Sequence, residues 1–143
     1  MAPSDWLVWA LLSASFAALT AIFAKVGIQG IDSDFATLIR TFIIVILLSV
    51  FVGYTGKWAD PRGLSARTLI FLSLSALATG ASWVCYFRAL QLGDASQVAP
   101  VDKFSVVLVA ILAFAFLGER PPARDWLGII LVTSGVLILA LRR

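Results

Sequence analysis

Five apolar runs follow one another along the chain with only short polar connections between them, and this leaves no room for a sizeable water-facing domain. They cover about residues 6–24, 35–53, 69–87, 97–117 and 126–141. At ~1.5 Å rise per residue, ~17–25 residues cross a ~30 Å hydrocarbon core, and the first four runs have that length. The fifth is shorter, and Arg142-Arg143 closes it with charge at headgroup level. A backbone in lipid has no water to bond, so each run satisfies its own N–H and C=O groups as a helix. The chain is therefore expected to be an all-α, multi-pass integral membrane protein with five transmembrane helices, in a single domain over residues 1–143.

Composition agrees. Hydrophobic residues make up 61% of the chain and charged ones 13%, with mean hydropathy +1.00, where a soluble domain carries about 25% charge. The stretch before Trp6 has no Lys or Arg, so the first run reads as a retained helix rather than a signal peptide. Cys85 is the lone cysteine and there is no His, so neither a disulfide nor a metal centre is expected, and no cofactor. Without His or an embedded carboxylate pair there is no nucleophile–base constellation, which argues against an enzyme. The net charge of +3 comes from eleven basic residues scattered among helix ends, so nucleic acid is not expected as a partner.

The connections carry turn chemistry. Lys25 to Asp34 ends in Ser33-Asp34, expected caps for the second helix. Tyr54 to Arg67 is the longest loop, Ala89 to Ser96 is a short turn around Gly93-Asp94, and Gly118 to Asp125 holds Pro121-Pro122. Basic residues are balanced across the membrane. One side collects Lys57, Arg62, Arg67, Arg120 and Arg124; the other collects Lys25, Arg88, Arg142 and Arg143, with Arg40 and Lys103 near the interface. Five against four to six sets no orientation. Either other features orient the chain, or it inserts both ways and pairs antiparallel, as inverted halves do in many transporters.

Small residues Ala10, Ala14, Ala17, Ala21 and Ala24 share one face of the first helix, and Gly128 and Gly135 share one of the fifth, which suits close helix packing. In the third run Ser75, Thr79, Ser82 and Tyr86 form a polar stripe beside a second face of Ala76, Gly80, Trp83 and Phe87. Within a bilayer such a stripe faces protein or a wet cavity, unless its hydroxyls bond back to their own helix. Ser75, Thr79, Ser82, Trp83, Tyr86 and Lys103 are the candidate solute contacts. Arg40, Arg88, Pro100 and Asp102 are candidates for a charged gate, with Asp102 expected to pair with Arg88 or Arg40. Pro100 either opens the fourth helix or kinks it. No acid lies inside the first, second, third or fifth run, so a neutral, zwitterionic or anionic solute is favoured over a cation.

The stretch Trp83, Tyr86, Ala89-Leu90, Gly93, Ala95-Ser96, Val98-Ala99-Pro100 resembles the EamA-type repeat of the drug/metabolite transporter superfamily. Phe116-Leu117-Gly118-Glu119, then Gly128 and Gly135-Val136, continue the pattern. Pro100-Val101-Asp102-Lys103-Phe104-Ser105 and Ala24-Lys25-Val26-Gly27 resemble the short, five-helix, single-repeat bacterial and archaeal members. The resemblance implies one half of an inverted-repeat transporter fold in the inner (plasma) membrane. It further implies a carrier of small metabolites working by alternating access, with a homodimer supplying the second half. Small multidrug-resistance relatives carry a glutamate in the first helix; this chain has none, so proton–drug exchange is not carried over. Glu119 reads as a loop-end carboxylate paired with Arg120 or Arg124. The rival reading is a non-transporting membrane subunit packed against a partner protein.

Overall fold

The computed structural model describes residues 5–141; Met1 to Ser4 and the expected charged closure at Arg142-Arg143 lie outside the described residues. All regular structure among these residues is helical. The helices are α1 (Asp5–Gly27), α2 (Ser33–Tyr54), α3 (Ala66–Leu92), α4 (Ala95–Asp102), α5 (Ser105–Leu112) and α6 (Ala123–Ala140), with a 3₁₀ turn at Pro61–Gly63 and a π turn at Ala113–Leu117. Five stretches are long and apolar enough to cross a membrane: α1, α2, α3, the composite Ala95–Leu117, and α6. Large apolar side chains along them, Trp6, Phe42 and Leu72 among them, are exposed on the single chain. That is the surface of a protein whose solvent is hydrocarbon.

The helix ends are set by local chemistry. The cap of α2 is Asp32, not Ser33 or Asp34: its Oδ1 accepts from the Asp34 and Phe35 N–H groups at 2.9 and 3.1 Å. Asp32 wins because it holds the extended backbone of a cap, φ −65°, ψ 137°, while Ser33 already lies in the helix. Ser65 caps α3, its Oγ accepting from the Thr68 N–H at 3.1 Å. α3 continues to Leu92, through residues read from sequence as a turn. Leu90 is fully buried, and its carbonyl accepts from Lys25 Nζ at 2.6 Å, which ties the last turn of α3 to the end of α1. Gly93-Asp94 is the actual break.

The fourth span is interrupted. α4 begins at Ala95, so Pro100 lies inside it and Asp102 in its last turn. Pro100 has no N–H to offer the Ser96 carbonyl. Past it the pattern tightens: Lys103 and Phe104 donate to Pro100 and Val101 at 3.0 and 2.9 Å, and Val106 and Val107 to Lys103 and Phe104 at 3.0 Å each. These bonds span three residues in place of four, as in a 3₁₀ helix, and they separate α4 from α5. At its far end the span unwinds into the π turn and stops at Gly118, whose φ of +67° suits glycine.

The described residues fall into two compact units. One comprises the described parts of Met1–Ile22 and Gly93–Arg143, in which α6 packs on α4 and α5. The other is Phe23–Leu92, built on α2 packed against α3.

Candidate functional site

Within the α2–α3 unit the polar stripe divides. Ser75, Thr79 and Ser82 are exposed on the single chain, and Thr79 Oγ1 donates to the Ser75 carbonyl at 2.9 Å. That hydroxyl meets its own helix, the modest role a membrane threonine often takes. Nearer the end of α3, Trp83 and Tyr86 are half-buried and Phe87 is buried. The Tyr86 and Phe87 rings meet edge to face, centroids 6.4 Å apart. This is the end of α3 that takes part in packing.

The residue packed there from α2 is Arg40. Its guanidinium carbon sits 4.3 Å from the centroid of the Trp83 ring and 5.4 Å from that of Phe87. Arg40 is half-buried, and its Nη1 is shut off from solvent with no hydrogen-bond partner among the described residues. An interface anchor would extend its head toward the headgroups; this one lies back over aromatic rings. The placement follows from the face Arg40 occupies. Ser33, Ala36 and Thr37 are buried, and Arg40, Thr41 and Ile44 half-buried, at the three-and-four spacing of one helical stripe. Thr37 and Thr41 satisfy their hydroxyls on the carbonyls four residues back, at 2.8 and 2.7 Å.

Arg88, expected to pair with Asp102, pairs instead with an acid of its own unit. Arg88 is held by Asp34: Nε donates to Oδ1 at 3.0 Å and Nη2 to Oδ2, a two-pronged ion pair joining the end of α3 to the first turn of α2. The antiparallel run of the two helices puts those ends side by side, and the planar guanidinium fits both carboxylate oxygens. Beside it Gln91 Nε2 donates to the Ile31 carbonyl at 2.7 Å.

The other unit carries Pro100, Asp102 and Lys103 at the interruption of the fourth span. Lys103 Nζ lies 3.5 Å from Asp102 Oδ2, both side chains well exposed. Neighbours on a helix point about 100° apart, so the contact is long and weak. Glu119 makes no ion pair with Arg120 or Arg124 among the described residues; its N–H closes the π turn on the Ala113 carbonyl at 3.2 Å. The candidate residues thus lie in two sets, Arg40, Ser75, Thr79, Ser82, Trp83, Tyr86 and Arg88 in one unit and Pro100, Asp102 and Lys103 in the other.

Sequence reasoning passed over Asp32, Thr37 and Thr41, and read Asp34 only as a helix cap. A signal for the last two was present: Ser33, Thr37, Arg40 and Thr41 are four of the five polar positions in the first half of α2, and they share one face. The ion-pair role of Asp34 carries no such mark, because it depends on which helix end lies opposite.

The model of the EamA-like transporter family matches residues 4–141. The chain is similar to a Sinorhizobium protein described as an uncharacterized transporter in the cobO 3′ region, 57% identical over 95% of this chain and 96% of the relative. It is also similar to the uncharacterized transporter YxxF of Bacillus subtilis, 26% identical over 96% of this chain but only 43% of that longer protein. A third relative, from Yersinia pestis, is described as the probable 4-amino-4-deoxy-L-arabinose-phosphoundecaprenol flippase subunit ArnE. It is 30% identical over 58% of this chain and 74% of its own length. No solved structure matches the chain.

Proposed function

The chain belongs to the EamA-like transporter family, and on that footing we propose that it carries a small metabolite by alternating access as an antiparallel homodimer. It is a multi-pass protein of the inner membrane, and we take it to be a carrier, not an enzyme, as its relatives are named. The observation that carries the reading is the polar face of α3 left open on one chain. Ser75, Thr79 and Ser82 are exposed there, and in a bilayer hydroxyls prefer protein or a wet cavity to acyl chains. A second copy facing this helix would turn the stripe into a cavity wall, with Trp83, Tyr86 and Lys103 as further solute contacts. Arg88, Asp102 and Arg40 would be the charged parts of a gate that change partners as access switches, with Pro100 at its bend.

Two further features favour pairing of copies. Nothing lies within 4 Å of where a Cβ would sit on Gly128 or Gly135, which leaves a small-residue seam free for another helix. The basic residues number five on one side against four to six on the other, which lets both insertions occur. The relative twice this chain's span and the relative of its own span fit a fold completed either by fusion or by dimerisation. A neutral, zwitterionic or anionic solute is favoured, because the spans carry few acids and a basic end.

A second reading is a membrane subunit that packs against a different protein. The Yersinia relative described as a flippase subunit favours it. Topology separates the two. Reporters fused after Arg143, each active on only one side of the membrane, are expected to give signal from both sides. Signal from a single side, with a co-purifying partner chain, would remove the antiparallel homodimer in favour of the hetero-oligomer.

A further inference from the structure

Arg40 is half-buried with its Nη1 shut off from solvent, and its surroundings differ from those of Arg88 and Arg67. Arg88 has a carboxylate in Asp34. Arg67 stands at the start of α3 with its guanidinium 6.0 Å from the Phe71 ring. Arg40 is the eighth residue of α2, about 10 Å along the helix at ~1.5 Å per residue, and no carboxylate faces it among the described residues. The Asp32 carboxylate is engaged as the cap of α2, its Oδ1 accepting from the Asp34 and Phe35 N–H groups. Asp34 is taken on both oxygens by Arg88.

From this geometry we propose that Arg40, held by Trp83 and Phe87, is the group that binds an oxyanion of the transported solute, a carboxylate or a phosphate. The inference rests on the transporter reading above and gives it a substrate class. Its physical basis is the shape of a guanidinium. All five N–H groups lie in one plane and point to its rim, whereas the aromatic rings take its face. Stacking on Trp83 and Phe87 therefore fixes the orientation and holds the charge without consuming a donor. One edge, at Nη1, is closed and unpaired. Nη1 is the only one of its nitrogens shut off from solvent without a partner among the described residues, so the remaining rim is where a solute would meet it. A cation so placed, with water partly excluded and no internal counter-charge, gains most from a ligand that brings the missing charge. A planar, two-oxygen anion matches the rim. A purely structural arginine would instead be expected to find an acid or a helix carbonyl, as Arg88 and Lys25 do.

The test is a paired panel of solutes on the full-length protein in lipid nanodiscs, read by thermal stabilisation at matched ionic strength. Carboxylates are compared with their amides (succinate with succinamide, for one) and phosphates with the parent alcohols (glycerol 3-phosphate with glycerol). The expected result is that an acidic member stabilises the wild type and its neutral counterpart does not, the pair concerned telling carboxylate from phosphate. Arg40→Gln should weaken that binding about tenfold or more, and Arg40→Lys by less, because the charge remains and the planar fork is lost. Should Arg40→Gln fail to fold, Phe87→Leu serves: it leaves the charge but removes one of the two rings that orient it, and should weaken the same acidic ligand. Equal binding of acid and amide by the wild type, or undiminished acid binding by the folded variants, would overturn the proposal. Counterflow in proteoliposomes separates this from the premise. Vesicles that carry neutral solutes but prefer no acid overturn the oxyanion site and leave the transporter standing. Vesicles that carry nothing remove the transporter, and the binding comparison still decides the site.

Discussion

At the scale of single residues, the charges and hydroxyls of this chain divide by whether the protein itself answers them. Thr37, Thr41 and Thr79 bond back to their own helices, Asp34 answers Arg88, and Lys25 reaches a buried carbonyl of α3. Only against that background does the unanswered edge of Arg40 carry meaning. Asp32 belongs to the answered group, because it closes two N–H groups that the first turn of α2 would otherwise leave unpaired. Asp32→Ala should therefore cost about 1 kcal/mol, while Asp32→Asn, which keeps the accepting oxygen, should cost far less. Reversible unfolding in mixed micelles would measure the difference. Equal stability of the two variants would mean that lipid headgroups or water replace the cap without loss.

The elements differ in how much of them could be read in advance. Five spans were legible because length and hydropathy decide what lipid accepts, whatever the tertiary arrangement. The interruption of the fourth was half legible: Pro100 announces a disturbed helix, but whether it opens or bends depends on Ala95 having already started the helix five residues earlier. The last turn of α3 was not legible, since Ala89 to Leu92 reads as a turn until Leu90 is seen to be buried with Lys25 on its carbonyl. The partner of Arg88 was hidden for the same reason, being a matter of which helix ends are neighbours. At this scale the break at Lys103-Phe104 makes its own prediction. Pro100→Ala returns an N–H to the Ser96 carbonyl and should stabilise the protein by about 1 kcal/mol, less than the ~3 kcal/mol of a proline in a straight helix, because the chain already bends there. If the bend is where the fourth span flexes between states, counterflow should fall several-fold in the more stable variant. Unchanged flux with raised stability would make the break a packing feature with no part in the cycle.

For the whole molecule, everything turns on whether one sequence inserts two ways. The near-equality of basic residues across the membrane is a poised balance, and a poised balance is easy to tip. Gln29→Lys with Lys57→Gln moves the count from five against four to four against five, and adding Arg62→Gln makes it three against five. In the opposite sense, Trp58→Lys with Ala59→Lys makes it seven against four. All five positions are exposed on the single chain, so the changes act on insertion and not on packing. For an antiparallel dimer each biased set alone should insert in one orientation and lose most flux, having no oppositely inserted partner. Expressed together, the two sets should restore flux, since each supplies the half that the other lacks. A single biased variant that transports as well as the original would contradict the antiparallel model, because one orientation would then be enough. Orientation reporters on the same variants guard against a trivial loss: a set that still inserts both ways and transports has simply not been tipped, and further lysines at the same loops would complete the bias before the comparison is made. Reciprocal rescue is the outcome that a parallel dimer or a lone subunit has no means of producing.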